Sequence, residues 1–196
     1  MGRGGQGGGV ELRAVELSGE TWPAFAELVE RNNGVYGGCW CVGWHLEKKV
    51  KLDRRAEKER LVRSDQAHAA LVLDSDGLAH GWCQWGPTAE LPGIKHRRVY
   101  DTDPPPPPDY RIGCIFVDKS HRGQGIARAA LVGALEQIAA RGGGTVEAIS
   151  EVTDGRVAQG RFLFTATAEL MEEHGFMRVR QVGKHAWVLT RYVEAS

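Results

Sequence analysis

The sequence carries no net charge: 25 lysines and arginines are matched by 25 aspartates and glutamates. That balance argues against a global positive field able to hold nucleic acid or an anionic membrane, and leaves only a local patch to do so. No apolar run approaches the ~20 residues of a membrane-spanning helix. The first nine residues, MGRGGQGGG, lack the apolar stretch of an export signal and read as a flexible glycine-rich tail. Gln6 stands where a myristoylation signal expects Ser or Thr. Cysteine is scarce, with four residues and no CxxC pair. Without an export signal, the expectation is a cytoplasmic protein with free thiols. No internal repeat is visible.

What is present suits one domain with a real core over residues 10–194 of the 196, with 42% hydrophobic residues. Alternation over 10–17 predicts a first strand. Residues 21–31 place Trp22, Phe25, Ala26 and Val29 on one helical face, with Pro23 in the first turn. Residues 53–63, DRRAEKERLVR, predict a second helix whose charges form a solvated face. Two strands at 69–74 and 78–85 flank a DSDG turn and predict a hairpin. Residues 88–109 hold five prolines, Pro104 to Pro108, and predict an exposed proline-rich connector. Residues 110–117, YRIGCIFV, are apolar on both faces and predict a central strand. A helix over 126–140, a strand over 145–150, a helix over 166–174 and strands at 177–181 and 185–193 complete the order. The class is mixed α/β, β–α–α–β–β–β–α–β–α–β–β.

The sharpest local signal is VDKSHRGQGIARAAL, residues 117–131. A buried strand ends, a basic glycine-containing turn follows, and an amphipathic helix begins. The first amides of a helix have no internal partners and the dipole adds about half a positive charge there. Gly123 and Gly125 allow a ligand close to the backbone. This combination suits a phosphate or pyrophosphate. The GK[ST] of a P-loop is absent, and Arg128 fills the third glycine position of a dinucleotide turn.

With Arg122, Gly125 and Ala127 spaced as [QR]-x-x-G-x-[GA] after the strand end Ile115-Phe116-Val117, and EEHGF at 172–176 downstream, the chain resembles the GNAT superfamily of N-acetyltransferases. The resemblance implies a largely antiparallel sheet flanked by helices and acetyl-CoA as co-substrate. It also implies direct acetyl transfer to a primary amine of a small molecule. The pyrophosphate would lie on Arg122, Gly123, Gln124, Gly125, Ile126 and Ala127. The backbone of Ile115, Phe116 and Val117 would run beside the pantetheine. No metal, nucleic acid or membrane is expected as a partner; homodimers are common in the superfamily, and a homodimer is the assembly that implies. A non-catalytic acyl-CoA-binding regulator, and transfer to a protein or peptide amine, are the alternatives.

The acceptor ammonium must lose a proton before it attacks, which calls for a carboxylate in a dry cleft. Glu147 stands in the otherwise apolar strand TVEAI and is the first candidate; Glu151, at the strand exit, is the second. The competing reading of Glu147 is a structural pair with an arginine such as Arg111, or a place facing solvent. Many members of the superfamily place a tyrosine acid four residues before the glycine of the GF corner. Here that position is Met171, leaving Tyr36 and Tyr110 as substitutes by position.

Residues 37–44 read GGCWCVGW. Cys39 and Cys41 with His45 fall short of the two spaced pairs usual in zinc sites. C-x-C is not the common redox spacing. An acyl-cysteine route is conceivable, with His45 as base. By the resemblance, this segment folds over the acceptor side of the cleft, so Tyr36, Cys39, Trp40, Cys41 and Trp44 become candidate pocket residues. A minor core under the first helix is the alternative. The run also resembles a GNAT subgroup of high-GC, actinobacterial type. Relatives there often carry Tyr-Pro where Ile149-Ser150 stand, and glycine where Ala166 stands.

Overall fold

The computed structural model describes residues 11–47, 50–153, 155 and 165–196. The expected N-terminal tail lies outside them. The elements are β1 (Arg13–Glu16), α1 (Trp22–Arg31), α2 (Arg54–Arg63), β2 (His68–Leu73), β3 (Ala79–Pro87), α3 (Arg97–Tyr100), β4 (Tyr110–Val117), α4 (Ile126–Ala140), β5 (Gly144–Glu151), α5 (Ala168–Glu173), β6 (Met177–Gln181) and β7 (Ala186–Val193), with short 3-10 turns at Val42–His45 and Lys119–His121. One seven-stranded sheet runs in the order β1-β2-β3-β4-β5-β7-β6. All neighbours are antiparallel except β4 and β5. No helix among the described residues is long and apolar enough to cross a membrane.

Strand periodicity sorts the core into two layers. Ala69, Leu71, Leu73, Trp82 and Phe116 face the layer that holds Trp22, Phe25 and Val29 of α1. Their alternates Ala70, Val72, Cys83, Trp85 and Ile115 face Ala130, Leu131, Ala134 and Ile138 of α4. Every residue of β2 is therefore buried, as expected of a strand covered on both sides. Asp53 caps α2, its carboxylate accepting from the Ala56 amide at 3.0 Å.

Two expectations need correction. The 88–109 segment is not simply an exposed connector: it contains α3 and buries Leu91 and Tyr100. Its apolar residues have no helical or strand period, so pattern alone cannot find them, yet they cover one face of β5. The charges of α2 do not all face water either. Lys58 turns inward and is 1% exposed.

The chain leaving β4 is fixed to α1 by Asp118, which is 4% exposed. Its carboxylate accepts from Arg31 Nε at 3.0 Å, Asn32 Nδ2 at 3.3 Å and the Ser120 amide at 3.0 Å. Burial works against ionisation, but these donors prevail and hold the pKa at about 2. A carboxylate depressed in the folded state stabilises it above the unfolded value, near 4, and loses that effect as pH falls through about 2. Asp118→Asn is expected to cost about 2 kcal/mol at neutral pH. The variant's denaturant-derived stability should then fall less steeply than the parent's between about pH 4 and pH 2. Equal acid limbs in the two proteins would refute this account.

Candidate functional site

The site begins where two strands part. β4 and β5 are in register only from Tyr110↔Val146 to Ile112↔Ala148. On its other side β4 stays paired with β3, but the register shifts where Gln84 faces Cys114 and Trp85 faces Ile112, so Gly113 is an extra, bulged residue. A Cβ on Gly113 would lie 3.1 Å from Cγ of Trp44. The bare backbone admits the indole at the point of divergence. Beyond it, among the described residues, Cys114–Val117 have a strand partner on the β3 side alone.

One cavity, of about 630 Å³, follows the opened edge of β4 to the start of α4. Ile115, Val117, Arg122, Gly123, Gly125, Ile126 and Ala127 line it. Gly125 has φ +80° and is the N-cap of α4 without a side-chain cap. The left-handed turn needs glycine, and the missing cap leaves the first helical amides to a ligand. Phe116 turns its ring to the other face, stacked on Trp82 at 4.6 Å, so only its backbone can serve this cavity. Gln124 is exposed and outside the lining. Ala166, also in the lining, has φ +61°, a conformation that favours glycine.

A second cavity, of about 680 Å³, lies on the far side of Tyr36, which lines both. Cys39, Cys41, Trp44, Lys95 and Cys114 form its wall. The loop that builds it is coiled left-handed through Asn33, Val35, Tyr36, Trp40 and Cys41 as well as Gly34, Gly37 and Gly38. Such conformations are costly for non-glycine residues and cluster at functional sites. Trp40 does not join the cavity wall. It packs between Trp22, 6.0 Å away, and Phe25, 6.3 Å away, with the Arg55 guanidinium above it. Burial is the largest effect on His45 and takes its pKa down to about 3, with the Lys58 charge acting in the same direction. The neutral ring meets the Glu90 carbonyl through Nδ1 at 2.9 Å and the Gln84 amide through Nε2 at 2.8 Å. It ties the loop to β3, and both nitrogens are engaged.

The two carboxylates of β5 project to the same face, four residues apart. Glu147 is 1% exposed and accepts from Arg111 Nε at 2.9 Å and from the Tyr100 hydroxyl at 2.8 Å. It therefore has the arginine partner named as the structural alternative. Burial, followed by the neighbouring carboxylate, pushes the Tyr100 pKa up and keeps that hydroxyl a donor. A void of about 10 Å³, bounded by Glu147, Arg111, Gly113 and Trp44, separates this carboxylate from the second cavity. That is room for about one water. Glu151 pairs with Lys95 at 2.7 Å. Tyr110 faces away, its hydroxyl donating to the Arg141 carbonyl at 3.3 Å. Met171 is fully buried in the core. Among the described residues, one trio could converge on a metal, Glu16, Asp65 and His68; Arg141 already pairs with both of its carboxylates.

Sequence reasoning missed Tyr100, Lys95, Lys58 and Cys114. Cys114 carried the clearest signal, a polar atom in the centre of an apolar strand.

Comparison with known proteins agrees with this geometry. The model of the acetyltransferase (GNAT) family matches residues 40–176. No curated protein matches the chain at a significant level. Among solved structures, one assigned as an acetyltransferase from Acinetobacter baylyi ADP1 superposes with TM-score 0.58 at 13% identity, covering 95% of this chain and 96% of the other. The ribosomal-protein-alanine N-acetyltransferase from Brucella melitensis gives 0.54 at 18% identity, over 93% and 99%. An N-acetyltransferase from Staphylococcus aureus Mu50 gives 0.52 at 15%, over 94% and 98%. At these identities the likeness is one of fold.

The Glu147 cluster generates a stability test. Arg111→Met leaves a buried carboxylate without its cation and is expected to cost about 3–5 kcal/mol. The double variant Arg111→Met, Glu147→Leu removes both charges and should recover most of that loss in urea unfolding. An Arg111→Met protein as stable as the parent would mean that the pair is not buried as described.

Proposed function

Because the chain belongs to the acetyltransferase (GNAT) family, whose members transfer acetyl groups from acetyl-CoA, we propose that it acetylates a primary amine of a small molecule by direct transfer between the two cavities. The observation that carries this reading is the parting of β4 from β5 beside an uncapped helix start. An extended amide-rich arm can pair with the opened edge of β4 as an added strand. A pyrophosphate suits the amides that open α4, with Arg122 beside them.

Acetyl-CoA supplies an activated acetyl thioester; the chain supplies position and proton transfer. Backbone N–H groups at Ile115 to Val117 polarise the thioester carbonyl, each worth about 3 kcal/mol when aimed at the developing charge. The acceptor occupies the cavity of Cys39, Cys41 and Trp44, with the indole as its apolar wall. This acceptor side is also where the resemblance to the GGCWC-containing subgroup lies.

Glu147 takes the ammonium proton through one water in the small void, with Arg111 and Tyr100 fixing the carboxylate. Glu151, paired with Lys95 at the cavity rim, acts on the acceptor's charge. Tyr36 protonates the departing thiolate: it stands between the cavities, and a phenol carries its proton at neutral pH.

Isothermal titration of the folded protein with acetyl-CoA should show one site per chain; the absence of binding would end this reading. Glu147→Gln is expected to lower kcat by about two orders of magnitude. Tyr36→Phe should lower kcat by a similar factor with little change in acceptor KM. Unchanged turnover in either variant removes that residue from the mechanism.

A further inference from the structure

Three of the four cysteines, Cys39, Cys41 and Cys114, share the wall of the acceptor cavity. Cys41 and Cys114 come from different elements, the left-handed loop and β4, and both are buried in the same cluster behind the cavity wall. Lys58 lies behind them. Its ammonium is 6.0 Å from the centre of the Phe25 ring and 3.5 Å from Nε2 of His45, a nitrogen already facing the Gln84 amide. Among the described residues no carboxylate forms an ion pair with it. A buried ammonium without an anion is costly, so it either gives up its proton or draws an anion from its surroundings.

Both tendencies are present. Burial pulls the Lys58 pKa down to about 8, and the nearby cysteine sulfurs oppose that fall. The neighbouring Cys114 thiol holds the Cys41 thiol below its ordinary value against the effect of burial, and the Lys58 charge adds to it. The Trp82 indole N–H, in the same buried cluster, has no hydrogen-bond partner among the described residues. Cys83 is the contrast. It is buried in the α4 layer, away from this cavity, and burial pushes its pKa up. The molecule thus separates one thiol held in the α4 layer from three that line a cavity beside a buried lysine.

We propose that Cys41 and Cys114 are a peroxide-reactive pair, converted to a disulfide by a small hydroperoxide that enters the acceptor cavity. The Cys41 thiolate attacks one peroxide oxygen and the O–O bond breaks. This gives a sulfenic acid on Cys41 and a hydroxide that takes up a proton. The Cys114 sulfur then attacks the Cys41 sulfur, the S–O bond breaks, and water leaves with the proton from Cys114. Two thiols are oxidised, and one peroxide is reduced to two waters (for hydrogen peroxide). Lys58 favours the first step by stabilising the thiolate. The disulfide would tie the acceptor loop to β4 one residue beyond Gly113 and narrow the acceptor cavity, leaving the α4 turn untouched. That last consequence rests on the acceptor reading above; the thiol chemistry does not.

The test is intact mass spectrometry after treatment with a small excess of hydrogen peroxide, followed by alkylation in denaturant. Two of the four thiols should become unreactive to alkylation, with a mass about 2 Da lower before alkylation, and dithiothreitol should restore both. Peptide mapping should join Cys41 to Cys114. Cys114→Ser should stop at a Cys41 sulfenic acid that dimedone captures. Lys58→Met, checked for folding by circular dichroism, should slow oxidation about tenfold or more. Four alkylatable thiols after treatment, a Cys39–Cys41 bridge, or a folded Lys58→Met variant oxidised at the parent's rate would each overturn the proposal. Acetyl-CoA titration separates the two readings: the oxidised protein should bind it as the reduced protein does. Failure of the reduced protein to bind would count against the acetyltransferase mechanism and not against the thiol pair.

Discussion

Contact between the Trp44 indole and the bare α-carbon of Gly113 stands at the place where two parallel strands separate. The rest of the site depends on this arrangement. Were β5 to stay in register with β4, its backbone would consume the amides that the opened edge of β4 presents. The bulge at Gly113 breaks that register while β3 keeps the other edge of β4 paired. The strand is thus rigid on one side and open on the other, which suits a groove for an extended ligand.

The same gap brings buried charge close to the chemistry, and the two inward-facing cations there are handled differently. Arg111 meets a carboxylate and a phenol in a satisfied cluster that fixes the segment 88–109 against β5. Lys58 meets sulfur, a softer and conditional anion. Arginine keeps its charge in either setting, whereas lysine can give up its proton. The first arrangement fixes geometry; the second leaves a titratable pair beside the acceptor cavity.

Most of the framework was legible in the sequence because it follows from periodicity. The strand 110–117 and the helix 126–140 appear with those same bounds. The turn between them is readable because backbone amides and glycines make a ligand site whatever the remaining side chains are. The acceptor side was harder to read. Tyr100 reaches Glu147 from 47 residues away, out of a stretch without period. Lys58 sits in a helix whose composition is that of a solvated surface, and only the tertiary packing of α2 reveals which charge turns inward. Trp40 and Trp44, four residues apart, part company, one into the α1 core and one onto Gly113. The left-handed coiling between residues 33 and 41 decides that, and no local pattern encodes it.

That coiling bears on how the acceptor cavity responds to disturbance. Five non-glycine residues there hold backbone angles they would abandon if released. The loop keeps its shape through distant fastenings: the aromatic stack around Trp40, the His45 bridge to Glu90 and Gln84, and the Gly93 amide bonded to the Trp44 carbonyl at 2.9 Å. Local turns add to these, with the Gly38 and Cys39 amides both donating to the Val35 carbonyl. The two sides of the cavity wall therefore differ in what holds them: Cys114 has the sheet behind it, whereas the loop side keeps its left-handed shape only as long as its turns and fastenings hold.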